Sequence, residues 1–337
     1  MKFAAVLALA LVLTSASAFA QAVAPDAAQP PQPPPPQSPV FRSGSALVAL
    51  NVSVQDAGAK YVGGLRSDDF AVYEDGVKQD VRFFESSAVP VDLIVLIDSS
   101  SSMTDKIQMV HDAAAGFLNT LRPGDRGAVV SFANSVEILQ PLTADRALLD
   151  RAVHGIVAYG ATALNNAIYI SLKQFGRSAR QDADPRRQAI VVLSDGEDTS
   201  SLVSFDDVLG LARKMGVNIY TVALQSNYAA QRASATAARR YFSESDYAMK
   251  TLARETGAQA FFPAPADLKG VYGSIATDLA NQYSIGYIPA NGRTDGRFRR
   301  VIVQIVTRPG LRSRTRPGYT ADGLAVAGGV TPPSIPR

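Results

Sequence analysis

From Ala46 onward the segment LVALNVSVQD alternates apolar and polar side chains, the period-two pattern of a half-buried strand. Asp56-Ala57-Gly58 closes it with a turn, and Gly63-Gly64-Leu65 starts another bend. Phe70 to Tyr73 and Val81 to Phe84 read as two more strands, with Glu74-Asp75-Gly76 between them as a hairpin-turn signal. Three strands of this size form an antiparallel unit too small to hold a core alone.

At Val91 the pattern changes. VDLIVLI is a continuous apolar run, the signature of a strand covered on both faces. Ile107, Val110, Ala114, Phe117, Leu118 and Leu121 then recur at helical spacing, until Arg122-Pro123-Gly124 stops the helix. Strands are predicted at Gly127 to Phe132 and Val136 to Leu139, with helices at 145–155 and 163–176. AIVVL at 189–193 is a second buried strand, followed by a helix at 205–215 and a strand at 217–224. A helix at 247–256, a short strand at 258–262 and a helix at 266–281 complete the series. Buried strands alternating with helices predict an α/β fold: a doubly wound, Rossmann-like, mostly parallel sheet with helices on both faces. Tyr283 to Pro289 and Arg299 to Val306 read as strands around Ala290-Asn291-Gly292. Pairing with the amino-terminal strands would make a small β subdomain from the two flanks.

The two ends of the chain are of another kind. Lys2, an apolar stretch from Ala4 to Leu13 and Ala18-Phe19-Ala20 have the form of a signal peptide cut before Gln21. That stretch is shorter than the roughly 20 residues a spanning helix needs, so no membrane span is expected in the mature chain. Residues 21–44 are rich in proline, which favours an extended spacer, and 321–337 are rich in Gly, Ala and Pro. The expected organisation is a signal peptide (1–20), a Pro-rich linker (21–44), a β flank (45–89), the α/β domain (90–283), a C-terminal β flank (284–320) and a disordered tail (321–337). The protein is expected to be exported, to the periplasm or beyond the cell.

Composition narrows the chemistry. The 337 residues include 33 basic and 30 acidic side chains, a net charge of +3 that gives no whole-chain reason to expect nucleic acid as a partner. With no cysteine, disulfides, thiolate metal sites and cysteine catalysis are all excluded. His111 and His154 are the only histidines and leave little material for a zinc site. Both fall in predicted helices with no Ser or Asp companion at a telling spacing, so they read as structural or surface residues. Eight arginines between Arg293 and Arg316 face a single Asp295 and read as a solvated strand face. The Ala-rich YAAQRASATAARR at 228–240 reads as an exposed helical excursion.

The candidate chemistry lies where an α/β sheet places it, at the carboxyl ends of the buried strands. VDLIVLI runs into Asp98-Ser99-Ser100-Ser101-Ser102, so that Asp98, Ser100 and Ser102 fit Asp-x-Ser-x-Ser ahead of a helix. The bland reading is a helix cap. AIVVL ends in Ser194-Asp195-Gly196-Glu197-Asp198, which puts Asp195 at the matching place. Thr162, before the helix at 163, can cap that helix or offer its hydroxyl to a metal. Carboxylate and hydroxyl oxygens are hard donors that suit Mg²⁺ or Mn²⁺, with Ca²⁺ as a further option, better than zinc or copper. Glu197 and Asp198 read as solvated loop charges.

On these residues the chain resembles a von Willebrand factor type A domain over about residues 90 to 283. The family's metal-ion-dependent adhesion site joins Asp-x-Ser-x-Ser to a loop Thr and a loop Asp, matched here by Asp98, Ser100, Ser102, Thr162 and Asp195. The resemblance implies that the serines and the threonine touch the metal, that the aspartates often act through water, and that a partner's acidic group supplies a further ligand. GLRSDDFAVYEDGVKQDVRFFE, YSIGYIP, FRRVIVQIV and RPGYTA resemble the flanks of a bacterial subfamily of exported VWFA-related proteins, extending the likeness to about 46–320. Asn165-Asn166 departs from it, where many relatives carry an aromatic residue and Asp.

The expected function is a non-enzymatic, divalent-cation-dependent module that binds a protein presenting an Asp or Glu carboxylate. Two rivals stand beside it. One is an envelope protein whose metal only rigidifies its loops. The other is a Mg²⁺-dependent phosphatase-like enzyme with Asp98 as nucleophile, for which Ser100 stands where a general acid is normally needed.

Overall fold

The computed structural model describes residues 47–86, 89–178, 186–195, 198–224 and 244–321. The expected signal peptide and proline-rich linker, the Ala-rich 228–240, Glu197 and the tail beyond Ala321 lie outside the described residues. Along the chain run β1 (Val48–Gln55), β2 (Phe70–Glu74), β3 (Val77–Gln79), β4 (Val81–Ser86), β5 (Val91–Asp98), α1 (Ile107–Leu118), β6 (Arg126–Phe132) and β7 (Val136–Thr143). They continue as α2 (Arg146–His154), α3 (Leu164–Ser178), β8 (Arg187–Ser194), α4 (Phe205–Met215), β9 (Asn218–Ala223), α5 (Glu244–Glu255), β10 (Ala260–Phe261) and α6 (Leu268–Ala280). The last strands are β11 (Tyr283–Tyr287), β12 (Phe298–Ile305), β13 (Arg312–Arg314) and β14 (Gly318–Thr320).

The apolar run Leu93–Ile97 of β5 is explained by its place. It lies between β8 and β6 in a six-stranded sheet of order β10-β9-β8-β5-β6-β7, parallel except for β7. Leu93, Val95 and Ile97 point to one face and pack with Val110 and Phe117 of α1, Leu149 of α2 and Tyr272 of α6. Ile94 and Leu96 point to the other and pack with Ile168 of α3, Val208 of α4 and Leu252 of α5. With helices on both faces, neither side of the strand needs polar residues. Asp145 and Ser204 cap α2 and α4 by accepting backbone N–H bonds in the first turn, which fixes where those helices start. After β5 the chain steps to β6 and β7 on one side, then returns to β8 on the other. That reversal opens a crevice between the carboxyl ends of β5 and β8.

The flanks form two four-stranded antiparallel sheets, β13-β1-β11-β4 and β14-β12-β2-β3. One core closes between them, with Val48, Leu50, Val52 and Ile285 from the first sheet and Val72, Val301 and Val303 from the second. The β2–β3 hairpin turns on Asp75 and Gly76, at φ 48° and 85°, the left-handed pair that a two-residue hairpin requires. The pairing of the two flanks agrees with the pattern reading, but the arrangement differs from a simple meander. β11 inserts between β1 and β4, and β2 belongs to the opposite sheet. β11 and β12 likewise fall in different sheets instead of pairing around Asn291. Period-two alternation specifies a strand's buried face and leaves its neighbour open.

The arginine cluster is a solvated face at Arg293, Arg297, Arg300, Arg308 and Arg312, which are exposed, and is corrected at the other three. Arg299 and Arg316 are buried, Arg299 pairs with Asp295, and Arg314 pairs with Asp278 of α6. Arg316 donates to the carbonyls of Ala49 and Arg213, tying the flank sheets to the helix layer. At the same seam Gly257 (φ +79°) lies so close to the Thr315–Arg316 backbone that a Cβ would stand 2.5 Å from the Arg316 nitrogen. The Asn51 side chain donates to Asn218 Oδ1 at 2.6 Å. These contacts predict that a chain of residues 90–283 melts below one of residues 45–320, because it removes Asn51 from Asn218, and Ser53 and Arg314 from Asp278. Equal melting temperatures in a thermal scan would show that the flanks contribute nothing to the stability of the α/β domain.

Candidate metal centre

The crevice holds four of the five residues selected from sequence in one continuous hydrogen-bonded chain. Asp98, fully buried as the last residue of β5, accepts the Ser100 backbone N–H on Oδ1 at 2.8 Å. Its Oδ2 accepts the Ser194 hydroxyl at 2.5 Å. Ser100 Oγ lies 3.0 Å from Ser102 Oγ, and Ser102 Oγ donates to Asp195 Oδ1 at 2.7 Å. Lys106, one residue before α1, donates its ammonium to Asp195 Oδ2. Ser100 precedes a 3-10 turn at Ser101–Met103, yet its side chain makes no capping bond. Its hydroxyl is directed to Ser102, so the capping explanation fails for Ser100.

Thr162 joins this group through its loop. The Ser101 N–H donates to Gly160 O at 3.1 Å and the Tyr159 N–H to Ser99 O at 2.6 Å, stitching the 159–162 loop to the 99–101 loop. On its other side, Thr162 N–H donates to Thr199 Oγ1, and Thr162 O accepts the Thr199 and Ser200 N–H groups. Thr162 is therefore buried between the loops that follow β5 and β8. No hydrogen bond joins its side chain directly to the other four among the described residues. Ala163, and not Thr162, is the residue next to α3. Asp198 accepts the Ser201 N–H at 3.1 Å, a local turn contact. Asn166 Oδ1 accepts the N–H groups of Leu202 and Val203, so the departure at 165–166 steadies the neighbouring loop.

Electrostatics set the cluster apart from an ordinary turn. Burial pushes the Asp98 carboxyl above its usual range, bonds from Ser100 and Ser194 oppose that shift, and the nearby Asp195 charge adds to it. Two carboxylates and two hydroxyls thus share a small volume, with Lys106 as the cation in contact. Among the described residues no three His, Asp or Glu side chains gather as a metal cluster. The donor set is carboxylate plus hydroxyl, all oxygen, which fits a hard divalent cation.

Two features escaped the sequence reading. Ser194 and Lys106 contact the two aspartates, although only Ser194 adjoins a motif residue in sequence. His111 and His154, read there only as having no Ser or Asp companion, come together with ring centroids 5.7 Å apart. His111 is buried with Nε2 unpartnered, and burial lowers its pKa, with His154 adding to the effect.

Comparison with known proteins settles the family. The von Willebrand factor type A domain profile matches residues 92–255. These residues are a von Willebrand factor type A (vWA) domain. Such domains generally mediate protein interaction. An uncharacterized protein of Borreliella burgdorferi is 27% identical over 146 residues, 40% of this chain and 41% of that protein. The match thus spans about two fifths of the relative's length. Among solved structures, a von Willebrand factor type A protein from Catenulispora acidiphila is similar with a TM-score of 0.47 and 14% identity, covering 83% of this chain and 74% of that one. BatB from Bacteroides thetaiotaomicron gives a TM-score of 0.44 and 15% identity, over 56% of this chain and 97% of that one. Proximal thread matrix protein 1 from the mussel byssus, with a zinc-occupied MIDAS motif, gives 0.44 and 16%, over 61% and 49%. Among the described residues no helix is long and apolar enough to cross a membrane.

Proposed function

We propose that the vWA domain is a divalent-cation-dependent protein-binding module that acts outside the cytoplasm. The observation that carries the reading is the oxygen chain Asp98–Ser100–Ser102–Asp195, assembled at the mouth of the β5/β8 crevice. Asp98, Ser100, Ser102, Thr162 and Asp195 would hold the ion, with Mg²⁺ or Mn²⁺ favoured by the donors. When bound, the ion supplies a positive centre that an Asp or Glu carboxylate of a partner protein can ligate. The chain's own residues prepare that place. Ser194 and the Ser100 amide orient Asp98, the Ser102 hydroxyl orients Asp195, and the Thr199 contacts hold the Thr162 loop. With the three hydroxyls as direct ligands and the two aspartates acting mostly through water, the ion keeps much of its charge, so an anionic oxygen gains more than a neutral one. Export is part of the proposal and rests on the character of residues 1–20.

Lys106 supplies a cation that phosphoryl transfer would also need. Position 100, where that chemistry needs its general acid, holds a serine bonded to Ser102, so binding is the better reading.

The test is retention of a partner isolated from envelope extract. Binding should require Mg²⁺ or Mn²⁺, be lost with EDTA, and be weakened in Thr162→Ala, with Glu197→Ala near wild type. Equal binding with EDTA and by Thr162→Ala protein would end the bridging reading. If EDTA lowered the melting temperature while binding survived, the metal would be a structural brace.

A further inference from the structure

Lys106 is placed to do more than neutralise a charge. Its backbone is fixed: the N–H donates to Met103 O at 2.9 Å, its carbonyl accepts Val110 N–H at 3.0 Å, and Met103 is fully buried beneath the turn. Only the four-carbon stem can move. The side chain is 9% exposed and that of Asp195 1%, so this ion pair is almost fully withdrawn from water. A buried ammonium without a partner is strongly unfavourable, and so is a pair of buried carboxylates without a cation. Lys106 meets that need at Asp195, whose charge is the one felt by Asp98.

The two oxygens of Asp195 are both engaged, Oδ1 by Ser102 and Oδ2 by Lys106. A divalent ion held by Ser100, Ser102 and Asp195 would meet the ammonium at close range. Two cations cannot share so small a volume without strong repulsion, and the flexible side chain is the one able to leave. We propose that Lys106 is a tethered counter-cation of this site: paired with Asp195 while no metal is bound, displaced when one enters, and thereby setting the site's metal affinity. The inference rests on the reading that this cluster binds a divalent cation. Its seated state holds the 99–106 loop to the end of β8 between loadings. It also lowers apparent metal affinity in proportion to the fraction of molecules in which the ammonium has left Asp195.

The experiment is Mn²⁺ calorimetry on the full chain, with Lys106→Met matching the stem without the charge. Lys106→Met should bind Mn²⁺ about tenfold more tightly, the factor expected if the lysine is seated roughly nine-tenths of the time. Lys106→Gln, which retains a donor but no charge, should shift in the same direction. In EDTA both variants should melt below wild type, and Mn²⁺ should raise their melting temperatures by more than it raises the wild type's. A purely structural lysine would instead lower melting equally with and without metal, which overturns the proposal. If wild type binds Mn²⁺ and neither variant binds more tightly, the proposal falls while the metal reading stands. If no form binds Mn²⁺, the metal reading fails and takes the proposal with it. Should the variants fail to fold in EDTA, recovery on adding Mn²⁺ supports the proposal and failure to recover overturns it.

Discussion

Replacing Asp278 with alanine should lower the unfolding free energy by about 3–5 kcal/mol, the usual cost of removing one partner from a buried ion pair. Asp278 is fully buried on α6, and three donors converge on it from three parts of the fold. Ser53 of β1 donates to Oδ1 at 2.5 Å, while Tyr220 of β9 and Arg314 of β13 donate to Oδ2 at 2.8 and 2.5 Å. Arg314 also reaches Gly257 O, and Gln282 reaches the Tyr220 hydroxyl at 2.9 Å. The carboxylate therefore joins the central sheet, its last helix and the flank sheets through one group. Alanine would leave a guanidinium and two hydroxyls without their acceptor in surroundings that water does not reach freely.

The same negative charge is felt by Tyr61, whose phenol is pushed up to about 12 by burial first and by Asp278 next. Urea unfolding of the full chain checks the prediction, with the denaturant dependence unchanged so that the shift reports stability alone. Asp278→Ala combined with Arg314→Met should recover part of the loss, because the second change removes the stranded charge. A loss below about 1 kcal/mol would place this pair with ordinary surface ion pairs and deny it any role in holding the flanks to the vWA domain.

How much of this was legible before the structure depends on the kind of signal involved. The central sheet could be read because VDLIVLI and AIVVL lack alternation, and only a strand covered on both faces tolerates that. The oxygen cluster could be read because strand ends bring Asp98 and Asp195 to one edge. Lys106 could not, because it acts on Asp195, 89 residues away, and no local spacing records that contact. The meeting of His111 and His154 was hidden for the same reason, since it depends on how α1 packs against α2. In the flanks, β13 and β14 are three residues each, too short for any period to show. Arg314 and Arg316 carry the composition of a solvated face, but their partners lie on other elements. Their burial follows from tertiary pairing and leaves no mark in the alternation.

Asp98→Ala should abolish specific Mn²⁺ and Mg²⁺ binding while leaving the protein folded. Asp98 anchors the cluster from below: its Oδ1 holds the Ser100 amide and its Oδ2 holds the Ser194 hydroxyl, so both loops are referenced to the end of β5. Without it, the Ser100 and Ser102 hydroxyls lose the support that fixes their spacing, and one of the two aspartates that favour a divalent cation is gone. The fold does not share that dependence. Leu93 to Ile97 are fully buried between the two helix layers and owe nothing to the carboxylate. Burial already raises the pKa of Asp98, so its charged form is unfavourable where it sits, and removal relieves that cost while stranding two donors. The two effects oppose each other, and metal-free stability should stay within about 1–2 kcal/mol of wild type. Calorimetry and a thermal melt in EDTA together decide the matter. Undiminished Mn²⁺ binding by folded Asp98→Ala protein would move the metal away from the β5/β8 crevice, and a variant unable to fold would make Asp98 a structural residue first.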